Sequence, residues 1–143
     1  MLKSKTLNID NFIFRDLHPR IKIGTASDGY AGWLGQVYVI EHESKIIGVV
    51  GYHVDKYETN HYWLGWFYVH VDYSRKGYGR HLIYFIKKEL RNKGVENLFV
   101  NTSSYKFYKK ALLFYIELGF KLEAIIKDYY GKNEDQLILS TNL

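Results

Sequence analysis

"VHVDYSRKGYGRHLI", residues 69–83, joins an apolar segment to a helical one through a basic turn with glycine at positions 77 and 79. Upstream, "HYWLGWFYVHV" (residues 61–71) is nearly all apolar or aromatic, the pattern of a strand buried on both faces. Downstream the period changes. Leu82, Ile83, Ile86 and Leu90 fall on one helical face that stops at "RNKG", with Gly94 as the terminator. A strand that enters a helix through glycine leaves the first helical N–H groups unpaired and pointing outward at the strand end. Together with the positive end of the helix dipole, those donors suit an anion such as phosphate. Gly77 and Gly79 let the backbone come close, and Arg75, Lys76 and Arg80 add charge. The spacing excludes two nucleotide motifs. No Gly-Lys-Ser/Thr follows, as a P-loop needs, and Leu82 stands where a dinucleotide fingerprint has its third glycine. A solvated turn is the plainer reading of the same residues.

Outward from this turn the chain divides cleanly. "QVYVIEHESKIIGVVGYHV" reads as a β-hairpin of two β-branched runs, 37–41 and 46–54, joined around Glu43-Ser44. "NFIFRDL" and "RIKIGT" read as short strands, and "GTASDGYAG" as loop. After the first helix, "VENLFVNT" is a buried strand. Ser103 or Ser104 then caps a second helix, with Phe107, Ala111, Phe114, Tyr115 and Leu118 on its inner face and Gly119 at its end. "KLEAIIKDYY" and "DQLILSTNL" are two closing strands around a polar turn at 131–134. Strands, then helix, strand, helix and two strands make a mixed α/β sheet.

Composition bounds the function. The 143 residues are expected to form one domain, 1–143, with 14 Tyr, 8 Phe and 3 Trp against a single Pro, which is not the make-up of a disordered chain. There is no cysteine, so disulfides, thiolate catalysis and Cys-based zinc sites are excluded. The start, "MLKSKTLNIDNF", lacks the apolar run of a signal peptide, and no stretch reaches the ~18 apolar residues of a membrane span. A cytoplasmic protein is expected. The formal net charge of +5 favours anionic ligands, but the basic residues are scattered, which speaks against a nucleic-acid surface. Histidines at 18, 42, 53, 61, 70 and 81 show no HxH or HExxH spacing, so no metal site is expected.

The basic turn, followed some thirty residues later by "ALLFYIELGF", resembles the GCN5-related N-acetyltransferase family. Ser74 to Gly79 matches its pyrophosphate loop, Gln/Arg-x-x-Gly-x-Gly/Ala, and Ala111, Phe114-Tyr115 and Gly119-Phe120 match "A-x-x-F-Y-x-x-x-G-F". The resemblance spans roughly residues 37–143. It implies a mixed, mostly antiparallel central sheet flanked by helices, with acetyl-CoA in a gap where the strand carrying Val69 and the strand "NLFVNT" splay apart. Backbone groups of Val69 and Val71 would hold the pantetheine arm, and the amides of Arg75, Lys76, Gly77, Tyr78, Gly79 and Arg80 the pyrophosphate. Tyr115 would protonate the departing thiolate as an amine attacks the thioester directly. The 3′-phosphate could use Lys109 or Lys110.

The chain also departs from the family pattern. Ser74 holds the usual Gln/Arg place. Tyr108 stands where an asparagine often precedes the motif alanine, and Asn101 at the strand end is the other candidate for that cofactor contact. "YWLGWFY" carries no carboxylate to act as base, and none of His53, Glu58, His61 and Asp72 stands out in its place. The turn "DYYGKNED" reads as a hairpin, with Asp128 or Tyr129 at an acceptor pocket as a weaker alternative. The expected partners are acetyl-CoA and a primary amine on a small molecule or protein, without membrane or nucleic acid; the sequence leaves a homodimer open. Two rival functions stand beside this one: a non-catalytic acyl-CoA-binding module and a small basic nucleic-acid-binding domain.

Overall fold

The computed structural model describes residues 8–9, 12–16, 34–42, 45–54 and 61–143. Strands β1 (Asn8–Ile9), β2 (Phe12–Asp16), β3 (Leu34–His42), β4 (Lys45–Val54) and β5 (Tyr62–Val69) form a meander. Helix α1 (Tyr78–Asn92) leads to β6 (Asn97–Ser103), and helix α2 (Lys109–Glu117) leads to the hairpin of β7 (Lys121–Gly131) and β8 (Glu134–Asn142). All lie in one sheet ordered β1-β2-β3-β4-β5-β6-β8-β7, antiparallel throughout except for β5 beside β6. This is the mixed, mostly antiparallel sheet expected from the sequence. "RIKIGT" and "GTASDGYAG" lie outside the described residues.

The expected hairpin strands β3 and β4 pair antiparallel, while Glu43-Ser44 lie outside the described residues, and the apolar stripe of α1 is present. Leu82, Ile83, Ile86 and Leu90 are fully buried, where they pack with Ile40, Ile47 and Val50 of β3 and β4. Each contributes about 1.5–3 kcal/mol by leaving water. Both helices end as their glycines predict. Gly94 (φ +80°) and Gly119 (φ +94°) take the left-handed conformation. In each case the next residue reaches back to the helix: the Val95 N–H to the Leu90 carbonyl at 3.0 Å, and the Phe120 N–H to the Tyr115 carbonyl at 3.0 Å.

Three expectations are corrected. Neither Ser103 nor Ser104 caps α2; the Ser103 hydroxyl accepts from the Tyr105 N–H (3.1 Å), and the Ser104 hydroxyl accepts from the Asp135 N–H (2.8 Å), which ties the exit of β6 to β8. Phe107 is 79 % exposed, because it sits in a 3-10 turn (Lys106–Tyr108) ahead of the helix proper. β5 is not buried on both faces: Leu64 is buried, but Tyr68 is 57 % exposed. The cause is the short pairing of β5 with β6, over Tyr62↔Leu98 and Trp63↔Phe99 alone. Against β4, β5 spends three steps (Gly65 to Tyr68) where β4 spends two (Val49 to Gly51), which is a β-bulge. A bulge bends its strand, and here the bent half of β5 leaves β6 behind.

Candidate active site

The gap so opened is a cleft of about 920 Å3. One wall begins where β5 stops. Val69 is its last residue, and Val71 lies in a 3-10 turn (Val71–Tyr73) instead of continuing the strand as expected. The Val71 carbonyl accepts both the Ser74 N–H (3.2 Å) and the Ser74 hydroxyl (2.8 Å), so Ser74 shapes the turn from the place where the family carries Gln or Arg. Arg75 (φ +60°) and Gly77 (φ +87°) then reverse the backbone into α1. A non-glycine residue held at positive φ costs of order 1–3 kcal/mol, and such strain gathers at ligand sites. The first rung of α1 is the His81 N–H to the Gly77 carbonyl at 3.1 Å; the amides of Gly79 and Arg80 precede it and have no acceptor within the helix.

Gly79 serves a second purpose. A Cβ there would lie 3.2 Å from the Phe67 ring and 3.4 Å from that of Phe114. The missing side chain therefore admits two aromatic rings that stack at 5.8 Å and line the cleft. Gly77 has nothing within 4 Å of such a Cβ, so it is needed for its backbone angle alone.

Tyr115 comes from α2 into the same space. Its ring stands between Phe67 (6.4 Å) and Phe120 (5.6 Å), and the residue is 8 % exposed. The positive φ of Gly119 turns Phe120 back against Tyr115, so the "G-F" after the helix fixes the ring's place. Burial pushes the phenol up to about 12, because the apolar walls disfavour the phenolate. Among the described residues its hydroxyl has no hydrogen-bond partner, an uncommon state for a buried tyrosine.

Most of the residues singled out in the sequence meet here. Val69, Arg75, Gly77, Gly79 and Arg80 line one side, and Asn101, Tyr108 and Tyr115 the other. Val71, Lys76 and Tyr78 do not line the cleft. Val71 is 71 % exposed, and the Lys76 ammonium lies over the Tyr73 ring at 5.8 Å. Arg80 also holds Glu117 of α2 at 3.4 Å, which ties the two helices together beside the gap. The hairpin β7–β8 adds residues that the sequence did not single out, Tyr130 and Glu134. Asp128 is engaged in the turn, accepting the Asn133 N–H at 2.7 Å, and Tyr130 rather than Tyr129 reaches the cleft. The run "YYGKNED" gave the only local signal; the β6–β8 pairing that carries it to the site is not visible in any short window.

A model of the acetyltransferase (GNAT) family matches residues 6–114. The chain belongs to that family. Solved GNAT structures share its fold. One from Elizabethkingia anophelis, with acetyl-CoA bound, superposes with a TM-score of 0.78 at 17 % identity, covering 94 % of this chain and 100 % of that one. The ribosomal-protein-S18-alanine N-acetyltransferase of Escherichia coli gives 0.71 at 20 % identity, over 92 % and 93 %. A Bacillus subtilis acetyltransferase in complex with CoA gives 0.70 at 18 %, over 82 % of each chain. No curated protein sequence matches the chain significantly. Among the described residues, no helix is long and apolar enough to cross a membrane.

Proposed function

We propose that this GNAT chain transfers the acetyl group of acetyl-CoA directly to a primary amine. One observation carries the reading: a buried tyrosine hydroxyl without a partner lines a cleft whose far wall ends in a turn preset for an anion. Each part of acetyl-CoA has a counterpart in that cleft. Beyond Trp63 the edge of β5 has no strand partner among the described residues, so its backbone can pair with the amides of a pantetheine arm as with an added strand. The amides at the start of α1 suit a pyrophosphate, with Arg75 and Arg80 beside them. Asn101 and Tyr108 line the opposite wall.

The amine nitrogen forms the new N–C bond as the C–S bond breaks. CoA leaves as the thiolate, hydrogen-bonded by the Tyr115 hydroxyl, and the nitrogen sheds its surplus proton to solvent. A phenol at about 12 is a weak acid beside a thiol of roughly 8.5, so the hydroxyl chiefly donates a hydrogen bond to the developing thiolate. The same burial keeps it protonated at every physiological pH, which is what a donor requires.

The test is thiol release from acetyl-CoA in the presence of a panel of primary amines. Tyr115→Phe is expected to lower kcat by about 100-fold while acetyl-CoA affinity stays within about twofold. β5 carries no carboxylate, and this favours a second reading, a non-catalytic acyl-CoA-binding module of the same fold. That reading predicts acetyl-CoA binding with no amine-dependent thiol release from either protein.

A further inference from the structure

Resting on the acetyltransferase reading, we propose that Glu134 and Tyr130 form a cation subsite at the hairpin end of the cleft. The preferred acceptor then carries a second positive group besides the amine that reacts. Glu134 is the one carboxylate among the residues that line the cleft, where the other charged side chains are Arg75, Arg80 and Lys110. It is half-buried, and among the described residues it has neither a hydrogen bond nor an ion pair. A carboxylate left without a counter-charge in a cleft suited to an anion repels that anion unless it stands apart from it and receives a cation of its own.

The topology supplies the separation. β8 lies on the far side of β6 from β5, and Gln136 pairs with Ser103 at the exit of β6. Glu134 thus sits just beyond that exit, with β6 and the gap left by β5 between it and the β5–α1 turn. It is also held in place. The Ser104 N–H binds the Asp135 carbonyl at 3.0 Å, the Asp135 N–H binds the Ser104 hydroxyl at 2.8 Å, and the Asp135 carboxylate accepts the Asp128 N–H at 2.9 Å. Tyr130 precedes Gly131, which pairs with Glu134 across the hairpin, and the Tyr130 hydroxyl accepts from the Gln136 amide at 3.3 Å. Tyr130 and Glu134 both line the cleft, and an aromatic ring together with an acid suits an alkylammonium. The reacting nitrogen must arrive unprotonated to offer its lone pair. A carboxylate that gripped that nitrogen would keep it an ammonium, so Glu134 serves a different positive group on the same acceptor.

The experiment compares 1,4-diaminobutane with n-butylamine in thiol release from acetyl-CoA, with acetyl-CoA binding measured in parallel by calorimetry. The unmodified protein is expected to prefer the diamine by about tenfold or more in kcat/KM, and the preference should shrink as salt is raised. Glu134→Gln keeps the size of the side chain and is expected to bring the ratio near one through the diamine KM, with acetyl-CoA affinity retained. Glu96→Gln, on an exposed residue outside the cleft, should leave the ratio unchanged. If acetyl-CoA binds but neither amine turns over, titration of the CoA-loaded protein with the diamine gives the answer: binding that Glu134→Gln abolishes supports the subsite, and no binding overturns it. A diamine preference that is absent, or that survives Glu134→Gln, overturns it too. Failure of the unmodified protein to bind acetyl-CoA overturns the acetyltransferase reading, and the subsite with it.

Discussion

Tyr115 gathers most of the chemistry argued above into one side chain, and its titration can be followed independently of catalysis. The folded protein holds the phenol proton to about 12, against about 10 for a phenol in water. Between those limits the unfolded chain has released a proton that the folded one still binds. Stability therefore falls as pH rises from about 10 through about 12, by roughly 2–3 kcal/mol from this group. Below pH 10 the contribution is fully present. In Tyr115→Phe the fall between pH 9 and pH 11.5, read as urea unfolding free energy, is expected to be smaller by about 2 kcal/mol. Equal slopes in the two proteins would mean that the phenol is open to water, and the case for a desolvated donor would fail. The sequence alone left Tyr115 divided between core and catalyst, because an apolar helical stripe looks the same in either case. Its lack of a hydrogen-bond partner among the described residues, a fact of three-dimensional packing, supports the proposed donor role.

At the scale of elements, the site depends on how strands and helices stop. α2 ends in a left-handed glycine at 119, and the chain folds back to press Phe120 against Tyr115. A Cβ at Gly119 would meet only the Thr141 hydroxyl at 3.7 Å, so the cost of Gly119→Ala is one of backbone angle, about 1–2 kcal/mol. Because the strain falls on the turn that seats Tyr115, kcat should drop by more than acetyl-CoA affinity does. Urea unfolding and thiol-release kinetics on the same variant check both halves. These stops were legible in the sequence: glycine after an apolar helical face at 94 and 119, and glycine spacing in the turn at 77 and 79. The departure of β5 from β6 was not. Gly65 inside an aromatic strand was its one local sign, since an interior glycine often marks a bulge. "HYWLGWFY" looked like a strand buried on both faces because an aromatic ring beside a cleft and one inside a core are the same letter. The serines at 103 and 104 misled for a related reason: each was a plausible cap locally, while the partner that took Ser104 lay on β8, thirty-one residues away.

For the molecule as a whole, the cleft exists because a parallel pair stops after two registers inside a sheet that is otherwise antiparallel. Everything placed around it comes from distant parts of the chain: the turn after β5, the exit of β6, one face of α2 and the closing hairpin. The family resemblance joined the first three from sequence motifs, and the hairpin entered only through strand order. The central claim is that this cleft takes acetyl-CoA, and thermal unfolding with and without the ligand tests it most directly. At about 100 times the dissociation constant a bound ligand adds ~2.7 kcal/mol. For a chain of 143 residues that raises the midpoint by roughly 5–10 °C. ATP at the same concentration is the control, since it offers phosphates without the pantetheine arm that the free edge of β5 would hold. A rise of that size with acetyl-CoA and little or none with ATP is the expected result. No rise with millimolar acetyl-CoA, or an equal rise with ATP, would contradict it and leave "SRKGYG" as a solvated basic turn.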